Sequence, residues 1–188
     1  MAADPHRLIV TGENPFIRLS ETEGGPVTTN ASFWRIILSP RGAGHVLFLK
    51  SELTQDHWRI YSDNIAMTRW LQSTVQGMLN AELSDLAIPV TDAEFSRSGD
   101  ARDFWTESLV THDEAIDLTW YDIGDPLLIH TEPGERPYGV CTVLIPALGA
   151  RLTCDDVQAK GKPFATTREG RPFSTCALAF AESWTERR

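Results

Sequence analysis

The sequence has few cysteines and no C-x-x-C pair. The three cysteines, Cys141, Cys154 and Cys176, make an odd number and lie in apolar runs. Such a set favours neither a disulfide framework nor a standard zinc site. We therefore interpret them as small buried thiols. A contact between Cys141 and Cys154 across a hairpin, or a reactive thiol, is the sharper alternative.

The sequence also lacks a basic excess and a long apolar run. It holds 17 Lys and Arg against 26 Asp and Glu, which gives a formal net charge of -9, and its basic residues form no cluster. The field of such a chain opposes binding to phosphate backbones, so we expect no nucleic acid partner. No run of about eighteen apolar residues indicates a membrane span, and no basic segment followed by an apolar one opens the chain. We expect no membrane association and a cytoplasmic location.

Familiar catalytic and cofactor motifs are missing as well. The sequence has no G-x-S-x-G, no G-x-x-x-x-G-K-[ST] and no G-x-G-x-x-G after a strand. This argues against a serine hydrolase, a phosphate loop and a dinucleotide loop. H-x-E spacing occurs at His112 and Glu114 and again at His130 and Glu132, but no third ligand can be named for either pair. We predict no metal and no cofactor.

The residues that are present predict one folded domain. A chain of 188 residues that is 41% hydrophobic and holds six Trp and eight Phe can bury one core, so we interpret 1–188 as a single β-rich domain. Residues 1–30 are rich in Pro, Gly, Thr and acidic residues, which predicts an irregular N-terminal arm. The runs "SFWRIILSP", "GHVLFLKSE" and "DHWRIYSDN" follow, and they predict successive antiparallel strands.

One α-helix is predicted at about 63–80. Apolar residues recur there at helical spacing on one face, namely Met67, Leu71, Val75, Met78 and Leu79. From residue 88 onward, six strand-like runs are separated by short Gly, Pro and polar turns: "FWTESLV", "AIDLTWY", "PLLIHT", "YGVCTVLIP", "ARLTCDDVQA" and "STCALAFAESW". We take "ALG" at 147–149 as one of those turns and "GKPFATTREGRPF" as a longer loop.

This pattern predicts a mainly β fold, an antiparallel β-barrel or sandwich with one helix. The plan resembles lipocalin-like barrels in architecture only. Because side chains alternate along a strand, Ile116, Leu118 and Trp120 should share one face. By the same rule, one face of the last strand should carry Cys176, Leu178, Phe180 and Trp184.

The first candidate site lies in the stretch "DLTWYDIGDPLLIHTEPG". If "DIGDP" is a turn, strands 116–121 and 127–131 become antiparallel neighbours, and Tyr121 approaches His130. Glu132 shares the face of His130, and Tyr138 follows after another turn. An imidazole beside a carboxylate and a phenol is a plausible acid-base group. The alternative is a partly buried His130 at a strand end and a solvated Glu132.

The second candidate site lies on the early strands. Arg35 and Arg59 each follow a tryptophan, and His57 and Tyr61 share the face of Arg59. If that face points into a barrel, its guanidinium groups need carboxylate partners or an anionic ligand, with Trp120 as an aromatic wall. If it points outward, each Arg pairs with an acid or covers an aromatic ring.

We therefore expect a small-molecule binding protein or enzyme with a pocket inside a β-barrel. Proton-transfer chemistry of the isomerase, hydratase or lyase type suits the first candidate group. The alternative is a non-enzymatic interaction module. In that case an exposed strand edge, or the helix face that carries Trp70, docks a partner protein or a second copy of the chain as a homodimer.

Overall fold

The computed structural model describes residues 6–134 and 137–187, and this part of the chain is mainly β. One sheet contains thirteen strands, and two further strands form a separate hairpin. In chain order the strands are β1 (His6–Glu13), β2 (Phe16–Ser20), β3 (Val27–Leu38), β4 (Gly44–Ser51), β5 (Arg59–Ser62), β6 (Val90–Asp92), β7 (Glu94–Asp100), β8 (Phe104–Val110), β9 (Ala115–Ile123), β10 (Leu127–Thr131), β11 (Tyr138–Cys154), β12 (Val157–Gln158), β13 (Ala165–Arg168), β14 (Arg171–Ser174) and β15 (Cys176–Arg187).

A helical segment separates β5 from β6, as predicted. It consists of α1 (Ile65–Leu71), a π-helical turn (Gln72–Gln76) and α2 (Gly77–Leu79). Two short 3₁₀ turns, Glu52–Thr54 and Ala81–Ser84, flank this region. The side chain of Asn64 caps α1 by accepting a hydrogen bond from the backbone N–H of Met67 at 3.1 Å.

The main path of the sheet runs β6-β5-β4-β3-β1-β15-β11-β9-β8-β7. All neighbouring strands on it are antiparallel except β5 and β6, which are parallel. The sheet curls on itself, as two observations show. Residues from both halves of this path pack in one interior cluster, and the ring centroids of Phe33 on β3 and Phe95 on β7 are 5.8 Å apart. In the described residues the two end strands are not paired, so the barrel is not closed. The predicted mainly β, antiparallel fold is confirmed.

Alternation along the strands divides the apolar residues between two faces of the sheet. Phe33 and Leu47 point into the interior, which is also where Ile116, Leu118 and Trp120 pack, as expected. The neighbouring side chains lie on the outer face and pack against the helical segment: Trp34, Val46, Phe48 and Ile60 meet Met67, Leu71 and Val75. The helix therefore covers the outside of β3, β4 and β5 instead of filling the barrel.

Three local predictions are wrong. The expected irregular arm at 1–30 is instead β1, β2 and the first part of β3 over its described residues, and residues 1–5 lie outside the described part. The expected turn at 147–149 lies inside β11, which runs unbroken for 17 residues. The loop expected after β12 contains the hairpin of β13 and β14.

The alternation predicted for the last strand also breaks. Cys176 and Leu178 face the interior with the partly buried Phe180, but Trp184 packs with the outer cluster beside the helix. The cause is Ala181, whose φ of 53° interrupts the extended chain where the register with β11 shifts.

Within the described residues, every helix is too short or too polar to pass through a lipid bilayer.

Candidate functional site

The predicted acid-base group is not assembled by the fold. His130 and Glu132 lie on the surface with 60% and 59% of their side chains exposed, and His130 Nε2 is 2.7 Å from Glu132 Oε1. Tyr121 is 40% exposed and covers Gly149, the residue opposite it on β11. Tyr138 packs with the cluster beside the helix.

These side chains are apart because β9 and β10 are not neighbours. Both strands pair with the same partner, β11, one after the other along its length. His130 lies opposite Cys141 and Tyr121 lies opposite Gly149, eight positions further along β11, or about 27 Å of extended strand. The segment "DIGDP" therefore connects two strands that lie end to end along β11, and it is not the turn of a hairpin.

The predicted ligand-binding residues separate into different environments. Trp120 is fully buried in the core, and its indole N–H donates to the carbonyl of Phe16 at 3.0 Å. His57 is exposed in the turn before β5. Arg35 and Arg59 do lie on the inner side of the sheet, but at different levels: Arg35 pairs with His45, and Arg59 pairs with Leu49, four positions further along β4.

Arg59 belongs to a closed network centred on Glu114. Its Nη1 donates to both carboxylate oxygens of Glu114 at 3.2 and 3.1 Å, and the hydroxyl of Tyr61 donates to Oε1 at 2.9 Å. The thiol of Cys154 donates to Oε2 at 3.3 Å. Burial, together with the neighbouring Glu114, raises the pKa of Cys154 to about 11, so this thiol stays protonated at neutral pH. In these four side chains, which we call the Glu114 network, one carboxylate accepts hydrogen bonds from a guanidinium, a phenol and a thiol, which indicates a structural role.

We expect Glu114→Ala to lower the free energy of unfolding by about 2 kcal/mol, because Arg59, Tyr61 and Cys154 lose their common acceptor. Urea unfolding followed by tryptophan fluorescence measures this. Glu114→Gln keeps one carbonyl acceptor and should cost less. Equal stability of Glu114→Ala and the parent protein would contradict a structural role for the network.

A second cluster of polar side chains lines an open cleft at the level of Arg35, four positions along β4 from the level of Arg59. We call it the Glu107 cleft, and its lining residues are Arg35, His45, Phe95, Ser96, Arg97 and Glu107. It lies where β3 and β4 approach β7 and β8, and its volume is about 180 Å³. A cavity of about 150 Å³ already accommodates benzene, so the cleft has room for a compact molecule.

Two guanidinium groups and two carboxyl groups, those of Glu13 and Glu107, set the charge of the cleft. Glu13, at the end of β1, lies 3.0 Å from Nη1 of Arg97 and 3.9 Å from Nη1 of Arg35. The guanidinium of Arg97 also lies over the ring of Trp105, 5.1 Å from its centroid. Because two cations face Glu13, the cleft keeps positive charge for an incoming anion as long as its second carboxyl group, Glu107, is protonated.

Glu107 is the buried acid of the cleft, with 2% of its surface exposed. Burial raises its pKa to about 7, while the hydrogen bond from the Trp105 indole and the charge of Arg97 oppose that rise. A carboxyl group that titrates near neutral pH can both donate and accept a proton under ordinary conditions. This is the property that general acid-base chemistry requires.

His45 completes the cleft. Its Nδ1 lies 2.6 Å from Oδ2 of Asp63, and its ring is stacked on Phe95 with centroids 5.1 Å apart. The carboxylate of Asp63 therefore fixes the orientation of the imidazole, and its Nε2 has no hydrogen-bond partner among the described residues.

Of the predicted site residues, Arg35 alone lines the Glu107 cleft. Glu107, His45, Arg97 and Glu13 were missed. One signal in the sequence could have identified Glu107. In "FWTESLV" it lies two positions from both Trp105 and Leu109, so all three share one face, and a glutamate falls on the core-facing side of a strand.

Comparison with models of protein families, with curated proteins and with solved structures gives no match.

Proposed function

We propose that this protein binds a small anionic molecule in the Glu107 cleft and exchanges a proton with it. The observation that carries the proposal is a buried carboxyl group, with a pKa near neutrality, that lines an open cleft together with two guanidinium groups. The arginines supply the attraction for a carboxylate or phosphate group, and Glu107 supplies the proton. This keeps the small-molecule and proton-transfer function expected from the sequence and moves it to different residues.

The chemistry follows from the arrangement of charges. An anion that enters between Arg35 and Arg97 competes with Glu13 for the two guanidinium groups and brings negative charge close to Glu107. That charge favours the protonated form of Glu107, so the bound state holds a carboxylic acid ready to donate. The His45 imidazole on β4, oriented by Asp63, lines the same cleft and is the group that accepts a proton. A cytoplasmic location fits a metabolite of this kind and remains a prediction from the sequence.

We expect small anions to bind in a saturable manner and Arg97→Ala to weaken that binding about tenfold or more. Isothermal titration calorimetry with acetate, pyruvate, succinate and inorganic phosphate measures this. Arg35→Ala should act in the same direction. Arg151→Ala is the matched control, because it removes the same charge from an exposed position on the outer face of β11. If Arg151→Ala weakens binding as much as Arg97→Ala does, the effect is one of net charge, and the cleft is not the site.

The same titration tests the proton step. Near pH 7, binding of an anion should be accompanied by proton uptake, seen as a dependence of the measured heat on the ionisation enthalpy of the buffer. Glu107→Gln should remove most of that uptake. Unchanged uptake in Glu107→Gln would show that another group takes the proton.

A further inference from the structure

A second recess lies on the outer face of β2 and β3, beside the end of the helical segment. It consists of two adjoining pockets of about 180 and 210 Å³ that share Asn30, Trp58 and Asn80 in their walls. The Glu107 cleft is on the opposite face of β3, because Phe33 and Arg35 point inward whereas Asn30 and Ser32 alternate with them. We call this recess the amide pocket.

Side-chain amides with unused hydrogen-bonding groups line the amide pocket. Gln76 is only 4% exposed, and its Oε1 accepts the indole N–H of Trp34 at 2.9 Å. Among residues 6–134 and 137–187 no group accepts a hydrogen bond from its Nε2. Every fully buried polar side-chain atom in that part of the chain has a partner, so the unpartnered Nε2 must be accessible, and it faces the pocket that Gln76 lines. The Asn30 side chain has no partner in that part of the chain, and Asn80 uses only its Oδ1, on the N–H of Glu82 at 3.1 Å.

The back wall of the pocket is held in place from behind. Asn14 is buried and accepts a hydrogen bond from the Ser32 hydroxyl at 3.0 Å. Its Nδ2 donates to Glu182 at 3.2 Å, and Glu182 also accepts the indole N–H of Trp184 at 2.8 Å. Because Asn14 is fixed on both sides, Ser32 presents its oxygen to the pocket in a defined position.

Aromatic rings supply the apolar surface. Trp58 borders both pockets, and its indole N–H donates to Oε2 of Glu82 at 2.6 Å, which fixes the ring. Phe16 lines the inner pocket, and the Arg18 guanidinium lies over its ring, 5.4 Å from the centroid. Arg18 is the charged side chain of that inner pocket, and the other polar groups of its lining are neutral. The outer pocket is also lined by Lys50, Asp56 and Glu82, of which Lys50 and Glu82 form an ion pair at 3.0 Å.

We propose that the amide pocket binds a neutral carbohydrate, with one sugar ring in each of its two compartments. Sugar hydroxyls both donate and accept, which matches the free amide N–H groups of Gln76 and Asn80, the whole amide of Asn30 and the Ser32 oxygen. The ring of Trp58 borders both compartments and offers apolar surface to the carbon face of a sugar, with the Lys50 ammonium also over the ring, 5.9 Å from its centroid. This site is independent of the Glu107 cleft.

Nuclear magnetic resonance of the ¹⁵N-labelled protein tests the proposal. The probes are maltose, cellobiose, lactose and N,N′-diacetylchitobiose, each compared with its monosaccharides. We expect saturable shifts of the side-chain amide signals of Asn30, Gln76 and Asn80 and of the Trp58 indole signal, with a Kd of about 1 mM or below for the best disaccharide. A disaccharide should bind more tightly than its monosaccharides because it fills both compartments.

Asn30→Ala should raise that Kd at least about fivefold without changing the thermal unfolding midpoint, since the Asn30 side chain has no hydrogen-bond partner to lose in the described residues. Ser98→Ala, at an exposed position on β7, is the control and should bind as the parent protein does. The proposal is overturned if no sugar gives saturable shifts, if Asn30→Ala binds normally, or if inorganic phosphate shifts the same signals instead. Shifts at His45 and Trp105 alone would mean that the sugar binds in the Glu107 cleft, and they would overturn the proposal as well.

Discussion

The parent protein is expected to lose stability as the pH rises from about 4.5 to about 7, and the Glu107→Gln variant is expected not to show this loss. Burial raises the pKa of Glu107 to about 7 in the folded protein, whereas the ordinary value for the unfolded chain is 4.5. Between these two pH values the folded protein keeps a proton that the unfolded chain releases. The free energy of unfolding of the parent protein therefore falls as the pH rises through this window.

The size of the effect follows from the shift in pKa. A shift of this size corresponds to a difference on the order of 3 kcal/mol between the two ends of the window. Glutamine keeps an oxygen that can accept the Trp105 indole N–H but carries no charge at any pH. The stability of Glu107→Gln relative to the parent protein should thus be greater at pH 8 than at pH 4.5 by about that amount.

Urea unfolding at pH 4.5, 6, 7 and 8 measures this difference. The groups around Glu107 are Arg97 on β7, Arg35 on β3, Glu13 on β1 and the His45 ring on β4, and all of them are present in both proteins. The buried Glu182, whose pKa burial also raises, is likewise common to both and cancels. Glu94→Gln, an exposed change on β7, is the control. Parallel curves for Glu107→Gln and the parent protein across this range would show that Glu107 is ionised in the folded state.

Gly12→Ala is expected to destabilise the protein strongly. A Cβ at residue 12 would lie 2.1 Å from the carbonyl oxygen of Arg35 and 3.0 Å from the Cα of Ile36. Both contacts are with backbone, so neither can be relieved by turning a side chain. β1 and β3 must separate, and we expect a loss of about 3 kcal/mol or more in the free energy of unfolding.

The same change should also damage the Glu107 cleft. Arg35 is the residue that the new methyl group displaces, and Glu13, which contacts Arg97, directly follows Gly12. Urea unfolding and the anion titration should both report a loss. Gly134→Ala is the matched control, since a Cβ at Gly134 meets nothing within 4 Å. A Gly12→Ala protein with normal stability and normal anion binding would contradict the close approach of β1 and β3.

Alternation of side chains was the most reliable guide to local structure. Ile116, Leu118 and Trp120 all pack in the interior, and Met67, Leu71 and Val75 of the predicted helical face are buried. Leu79, predicted for the same face, is instead 45% exposed. The predictions for the buried residues succeeded because burial of apolar area acts on each strand or helix separately and leaves a period in the sequence. The prediction for Trp184 failed because the single residue Ala181, at a φ of 53°, reverses the alternation without leaving a period of its own.

Strand partners could not be predicted in the same way. Tyr121 and His130 are close in sequence, yet their strands never pair, because a 17-residue β11 binds one after the other. Nothing local distinguishes a hairpin turn at 122–126 from a break along one edge, since both need glycine, proline and polar residues. The candidate acid-base group of His130 and Tyr121 rested on that choice.

The apolar periods and the turn residues were enough to predict a mainly β fold with one helix at about 63–80. The charge of the chain predicts no nucleic acid partner, and that stays a prediction. The position of the proposed site depends on the tertiary structure. Glu107 lies among Arg35, Arg97 and His45 because the sheet curls until β7 and β8 approach β3 and β4. Contacts between strands so distant in sequence depend on the packing of the whole interior, and the pKa of Glu107 depends on how completely that packing excludes water.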